Sequence, residues 1–125
     1  MLLLDLKLKL VIENLCGTYK KFADSLEEYP LLGVTFPTHY GYIDGYIGED
    51  THDLDVFIGS GDLYGVLKMK RDDVEGGLET KILLFVTSKE YEQIKIAYQP
   101  VLEKITTLTE KELVELLPNF LISKG

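Results

Sequence analysis

The feature that most limits the fold is a pair of apolar runs, residues 64–70 and 78–87, joined by a short connection, 71–77, that carries Asp72, Asp73 and Glu75 and ends in Gly76-Gly77. Runs of that length around a charged, glycine-ended connection predict a β-hairpin. Residues 53–58 predict a further strand, with Leu54, Val56 and Ile58 on one face and Asp53, Asp55 and Phe57 on the other. From Leu4 to Ile12 apolar residues alternate with Asp5, Lys7 and Lys9, which predicts a strand with Leu6, Leu8 and Leu10 facing the core.

Helical signals are fewer and lie late in the chain. Residues 110–117 predict a helix: Thr109 is the N-cap, Glu112 completes a capping box, Leu113, Leu116 and Leu117 make the apolar face, and Pro118 ends it. Residues 88–98 also suit a helix. Residues 16–29 are ambiguous, since Tyr19, Phe22, Ala23 and Leu26 repeat at helical spacing in a stretch that also suits a strand and turn. In 36–46, rich in tyrosine and glycine, Pro37 and Gly41 are expected to limit regular structure. Short strands followed by helices predict an α+β domain with a twisted sheet or small barrel. At 125 residues, 46% of them hydrophobic, the chain suits a single domain spanning 1–125.

Charge narrows the partners. A net charge of −8 argues against nucleic-acid backbones and anionic membranes. A lone cysteine, Cys16, forms no internal disulfide and suits a reducing compartment. The apolar N-terminus has no preceding basic segment and is broken by Asp5, Lys7 and Lys9, so it reads as neither a leader peptide nor a membrane span, and the expected location is cytoplasmic. Between Asp44 and Glu79 ten acidic residues face only Lys68, Lys70 and Arg71. On composition alone such a cluster is a solvated surface; the alternative is cation binding.

Two stretches favour the alternative. Tyr40-Gly41-Tyr42-Ile43 is followed by Asp50-Thr51-His52-Asp53-Leu54-Asp55. Carboxylates on a loop entering a strand suit Mg²⁺, a hard cation that takes oxygen ligands and keeps several waters. The second stretch runs from Gly65-Val66-Leu67-Lys68-Met69 to Asp72, Asp73, Glu79 and Lys81. Glu79 and Lys81, two apart on a strand, share a face, and a carboxylate beside an ammonium suits joint binding of metal and phosphate. No P-loop, Gly-x-Ser-x-Gly or EF-hand pattern is present.

Together these pieces, with Ser88-Lys89-Glu90-Tyr91 following in order, resemble the family I (soluble) inorganic pyrophosphatases over about half the chain. The resemblance implies a small five-stranded β-barrel of the oligonucleotide-binding type with flanking helices. It also implies Mg²⁺-dependent hydrolysis of pyrophosphate, with Mn²⁺ as a substitute ion, and self-association. Asp50 and Asp55 match the first and last aspartates of the family's Asp-x-Asp-Pro-x-Asp signature and would be metal ligands. Glu79 takes the place of another ligand, and Asp72 or Asp73 that of the hairpin aspartate. Lys81 and, more weakly, Lys21 align with phosphate-binding lysines, and Tyr40 with a tyrosine near the nucleophile.

The departures are as specific. His52 stands at the signature's middle aspartate and Asp53 at its proline, so water activation falls to Asp53 or His52. Glu28 stands at a phosphate-binding arginine, Ala23 at a carboxylate, and Phe120-Leu121 at a Tyr-Lys pair. Each lost charge-assisted contact costs on the order of 1.5–3 kcal/mol. Two expectations follow: a divergent enzyme acting on pyrophosphate or a related phosphoanhydride, or a catalytically impaired binding module that keeps at most one divalent ion.

Overall fold

A computed structural model describes residues 7–21, 33–71 and 76–121 of the chain. Among the described residues eight strands and two α-helices follow one another: β1 (Leu10–Asn14), β2 (Tyr19–Lys21), β3 (Gly33–Thr35), β4 (His39–Ile47), β5 (Asp53–Ile58), β6 (Leu63–Lys70), β7 (Leu78–Val86), α1 (Ser88–Ala97), β8 (Leu102–Leu108) and α2 (Glu110–Leu116). Six strands make one sheet in the order β1-β4-β5-β7-β6-β8, and β2 and β3 form a separate ribbon. All neighbours in the large sheet are antiparallel except β5 and β7, which run parallel.

The α+β class holds. The five-stranded closed barrel does not: the sheet has six strands, and β1 and β8 remain its two edges among the described residues. The hairpin is β6 and β7, closed where Arg71 N–H donates to Gly77 O at 2.9 Å. Residues 36–46, expected to be irregular, contain β4 instead. Gly41 is there because β1 lies against it: a Cβ would stand 1.8 Å from Val11 O. β8 was not anticipated. The ambiguous stretch 16–29 supplies β2 in its first half, and its later residues, Phe22, Ala23, Leu26 and Glu28 included, lie outside the described residues, as do Leu4 to Leu6.

Side-chain alternation divides the core between the sheet's two faces. Leu54 and Val56 of β5 are fully buried with Ile43, Ile82 and Leu84 in a cluster that Leu113 and Leu117 of the α2 end complete. Leu8 and Leu10 pack against it, as expected. Phe57, one residue on from Val56, faces the other cluster with Phe36, Tyr40, Leu83, Ile94 and Tyr98 beneath α1. Along β7 the same parity puts Leu83 under α1 and Ile82 and Leu84 on the opposite side. Phe85 breaks the alternation with φ 54°, so Val86 returns to the α1 side, and Phe85 itself is 37% exposed. A left-handed residue at this point acts as a bulge, shifting side-chain phase by one residue.

Both helices start with capping boxes. In α2 Thr109 and Glu112 exchange the two capping hydrogen bonds, as the sequence predicts. In α1 Thr87 and Glu90 do the same, and Glu90 also accepts from the backbone N–H and hydroxyl of Ser60, both at 3.1 Å. Burial pushes the Glu90 carboxyl up, but the hydrogen bonds from Thr87 and Ser60 outweigh it and hold it below the usual carboxylate value. A depressed folded-state pKa contributes stability above the ordinary carboxylate range, and that contribution is lost as pH falls through the folded value. Glu90→Gln is therefore expected to cost about 1–2 kcal/mol near neutral pH. Denaturant titrations should show the gap between the variant and the parent closing as pH falls below that range; a gap independent of pH would contradict the assignment.

Candidate functional site

The site lies on the α1 face, at the end of the sheet where β5 begins and the β6–β7 hairpin closes. Register brings its residues together. Phe57 pairs with Leu83 across the parallel β5–β7 ladder, so Asp55 comes beside Lys81 two residues earlier on each strand. Tyr40 pairs with Phe57 and reaches diagonally to Asp55. On the other side of β7, Met69 opposite Glu79 and Leu67 opposite Lys81 seal the floor.

Lys81 organises this group. Its ammonium donates to Tyr40 OH at 2.5 Å and Asp55 Oδ2 at 2.8 Å, and lies 2.7 Å from Glu79 Oε2. Those partners account for all three protons of an –NH₃⁺ group. Tyr40 OH in turn donates to the same Asp55 oxygen at 2.7 Å. Burial works to lower the Lys81 pKa, but its electrostatic interactions with the Tyr40 and Tyr98 phenols and the Asp55 and Glu79 carboxyls outweigh it, leaving the pKa well above the usual lysine value. Burial keeps both tyrosines neutral phenols, with Tyr40 well above its ordinary value and Tyr98 pushed up to about 12.

Glu79 is held from both sides. Its Oε1 lies 2.6 Å from Arg71 Nη1 and its Oε2 beside Lys81, with only 5% of the side chain exposed. Burial raises its pKa; Lys81 opposes that shift, while a hydrogen bond shared with Asp50 and the charge of Asp55 add to it. Asp50 itself sits on the turn between β4 and β5. There Gly48 N–H donates to His52 O, Thr51 takes a left-handed φ of 64°, and Asp50 Oδ1 accepts the His52 N–H at 3.0 Å. Asp50 Oδ2 is 3.9 Å from Arg71 Nη1. The turn is pinned to β7 by Glu49, whose carboxylate accepts the N–H and hydroxyl of Thr80 at 3.0 and 2.6 Å. Lys68 donates to that hydroxyl and lies 3.6 Å from Glu49.

Of the sequence candidates, Tyr40, Asp50, Asp55, Glu79 and Lys81 come together. His52 and Asp53 are exposed beside the cluster. Lys21 ends β2, paired with Gly33 in the separate ribbon. Asp72 and Asp73 lie outside the described residues. His39 accepts the Cys16 N–H on Nδ1 at 2.9 Å. Arg71 and Glu49 were not anticipated as members. One signal existed for Arg71: it is the chain's only arginine, placed directly before the acidic hairpin tip. For Glu49 the sequence offers none, because its partner Thr80 is thirty-one residues away.

The donor set does not suit a divalent cation as it stands. Mg²⁺ requires oxygens at about 2.0–2.1 Å in near-octahedral array. Both oxygens of Glu79 and Oδ2 of Asp55 already point at nitrogen or hydroxyl donors. Among the described residues, three carboxylates (Asp50, Asp55, Glu79) face two fixed cations (Arg71, Lys81), so these five side chains carry a net charge of only −1 (−3 + 2). Among the described residues no three His, Cys, Asp or Glu side chains stand in the arrangement of a metal site. None of the described helices is long and apolar enough to cross a membrane.

In comparisons with known proteins, the family model for inorganic pyrophosphatase matches residues 6–116, most of the chain. No curated protein matches it.

Proposed function

The chain belongs to the inorganic pyrophosphatase family, and from that premise we propose that this member is a catalytically impaired binding or interaction module rather than an efficient diphosphatase. One observation carries the proposal: Glu79 is clamped between Arg71 and Lys81, with Asp55 held by Lys81 and Tyr40. The negative charge that would attract metal is answered from within the protein. Opening the cluster means breaking several charge-assisted hydrogen bonds, each worth roughly 1.5–3 kcal/mol. On this reading residues 1–125 act as one domain in the cytoplasm, without nucleic-acid or membrane partners, and self-association follows the resemblance.

A second reading rests on the convergence of Asp50, Asp55, Glu79, Tyr40 and Lys81 at one end of the sheet. It is slow Mg²⁺-dependent hydrolysis of pyrophosphate or a related phosphoanhydride. Its metal ligands would be Asp50, Asp55, Glu79 and one of Asp72 and Asp73, with Lys81 and Lys21 on phosphate and His52 or Asp53 on the water.

Phosphate release from pyrophosphate separates the two. With Mg²⁺ or Mn²⁺ present, the protein and its Asp55→Asn variant are expected to release phosphate at the same background rate. Turnover that is present in the protein and vanishes in Asp55→Asn would overturn the proposal and establish the second reading.

A further inference from the structure

We propose that Arg71 is the built-in counter-cation of this pocket, excluding the divalent ion that the family implies. The inference rests on the impaired-module reading and names the residue responsible for it.

The placement of Arg71 follows from the hairpin. It directly follows β6, and its N–H closes the β6–β7 ladder onto Gly77 O. That fixes the base of the side chain beside Glu79, which pairs with Met69 two residues before Arg71 on β6. The guanidinium then lies 2.6 Å from Glu79 Oε1 and 3.9 Å from Asp50 Oδ2, with 16% of the side chain exposed. A cation between those two carboxylates is what a divalent ion would otherwise supply. Asp50 and Glu79 both face the same guanidinium nitrogen, so they form one anionic feature rather than two separate charges. Arginine suits this place better than lysine would. It stays charged at every accessible pH, is weakly hydrated, and presents several donors in a rigid plane. Lys81 does not fill the same position, since its three protons are committed to Tyr40, Asp55 and the other oxygen of Glu79.

Two consequences follow. A divalent ion approaching Asp50 and Glu79 meets a fixed like charge, and it must also displace a short charge-assisted hydrogen bond. Neutralising Arg71 removes both obstacles and leaves Asp50 and Glu79 in place to accept metal.

The test is a Mn²⁺ titration of the full chain, read by calorimetry and by loss of the free-ion paramagnetic resonance signal. Four proteins are compared: the parent, Arg71→Gln, Arg71→Met and Arg71→Lys. Both neutral variants are used so that failure of one to fold, judged by circular dichroism, leaves the other to report. The parent and Arg71→Lys are expected to show no saturable site below millimolar Mn²⁺. The neutral variants are expected to gain one site, tighter by about tenfold to a hundredfold, the range set by loss of one charge-assisted contact. Parent and neutral variants binding Mn²⁺ alike would overturn the role of Arg71, as would neutral variants that fold and bind none. Metal-dependent turnover of pyrophosphate by the parent would be a different failure, bringing down the impaired-module reading and this inference with it.

Discussion

Lys81→Met is expected to destabilise the protein by about 3–5 kcal/mol, the range for removing one partner of a buried ion pair. The side chain it replaces is 7% exposed and is the shared donor to Asp55, Glu79 and Tyr40. Methionine matches its length and apolar stem but leaves the carboxylates of Glu79 and Asp55 with Arg71 as the one cation beside them among the described residues. A loss of that size is a large part of the roughly 5–15 kcal/mol that holds an ordinary domain together. It should lower the Tm by about 10 °C or more. The pH dependence identifies the cause. Glu79 already has a folded-state pKa raised by burial, so its contribution to stability is fully present below the unfolded carboxylate value and is lost as pH rises through the folded one. Without the opposing charge of Lys81 that pKa moves higher still. Denaturant melts should therefore show the gap between Lys81→Met and the parent widest near neutral pH and narrower in acid. Adding Glu79→Gln to Lys81→Met should restore part of the loss, a coupling of roughly 0.5–3 kcal/mol between groups in contact. A penalty that is constant with pH and unrelieved by Glu79→Gln would mean that Lys81 matters as packing alone.

This pocket shows what a sequence discloses and what it withholds. Elements written in local patterns were legible: the 53–58 strand with Leu54 and Val56 inward, the hairpin of β6 and β7, and the Thr109–Glu112 capping box. Each depends on residues a few positions apart, whose geometry is fixed by backbone periodicity. β8 was not legible, because its apolar residues Leu102, Ile105 and Leu108 are spaced by three and match neither a strand nor a full helical stripe. It is an edge strand recruited by β6. The site divides in the same way. Tyr40, Asp55, Glu79 and Lys81 were found through motif order, and strand register does bring them together. Arg71 and Glu49 act through contacts made only when the hairpin and the β4–β5 turn meet over β7. Counting charges had set Arg71 against the acidic run as a whole. Only the fold shows that it is spent on Glu79 and Asp50, which turns an apparent cation site into a nearly neutral one.

The other large effect is expected far from that chemistry, at Gly41. A Cβ added there would stand 1.8 Å from Val11 O, 2.8 Å from Val11 C and 2.9 Å from Ile12 Cα. All three are backbone atoms of β1, so no rotamer change relieves the clash and the strand itself must move. β1 is an edge strand whose partner in the sheet is β4. It carries Leu10, which with Leu8 packs against the core cluster under α2. Displacing it exposes both leucines and unzips the ladder from Leu10–Ile43 to Asn14–Tyr40. Burying a leucine fully is worth about 1.5–3 kcal/mol, and both are partly buried here, so Gly41→Ala should cost roughly 2–4 kcal/mol. Gly45→Ala, on the same strand, is the control. Gly45 has φ 85° with open space around it, so an added methyl meets backbone strain and no atoms, a cost of about 1–2 kcal/mol. Denaturant unfolding of the two variants, with amide hydrogen exchange across β1, should show Gly41→Ala the less stable and the amides of β1 exchanging early in it alone. Equal stability, or undisturbed exchange in β1, would mean that the strand can shift to admit a methyl, and that the close approach at Gly41 is not what fixes the edge of the sheet.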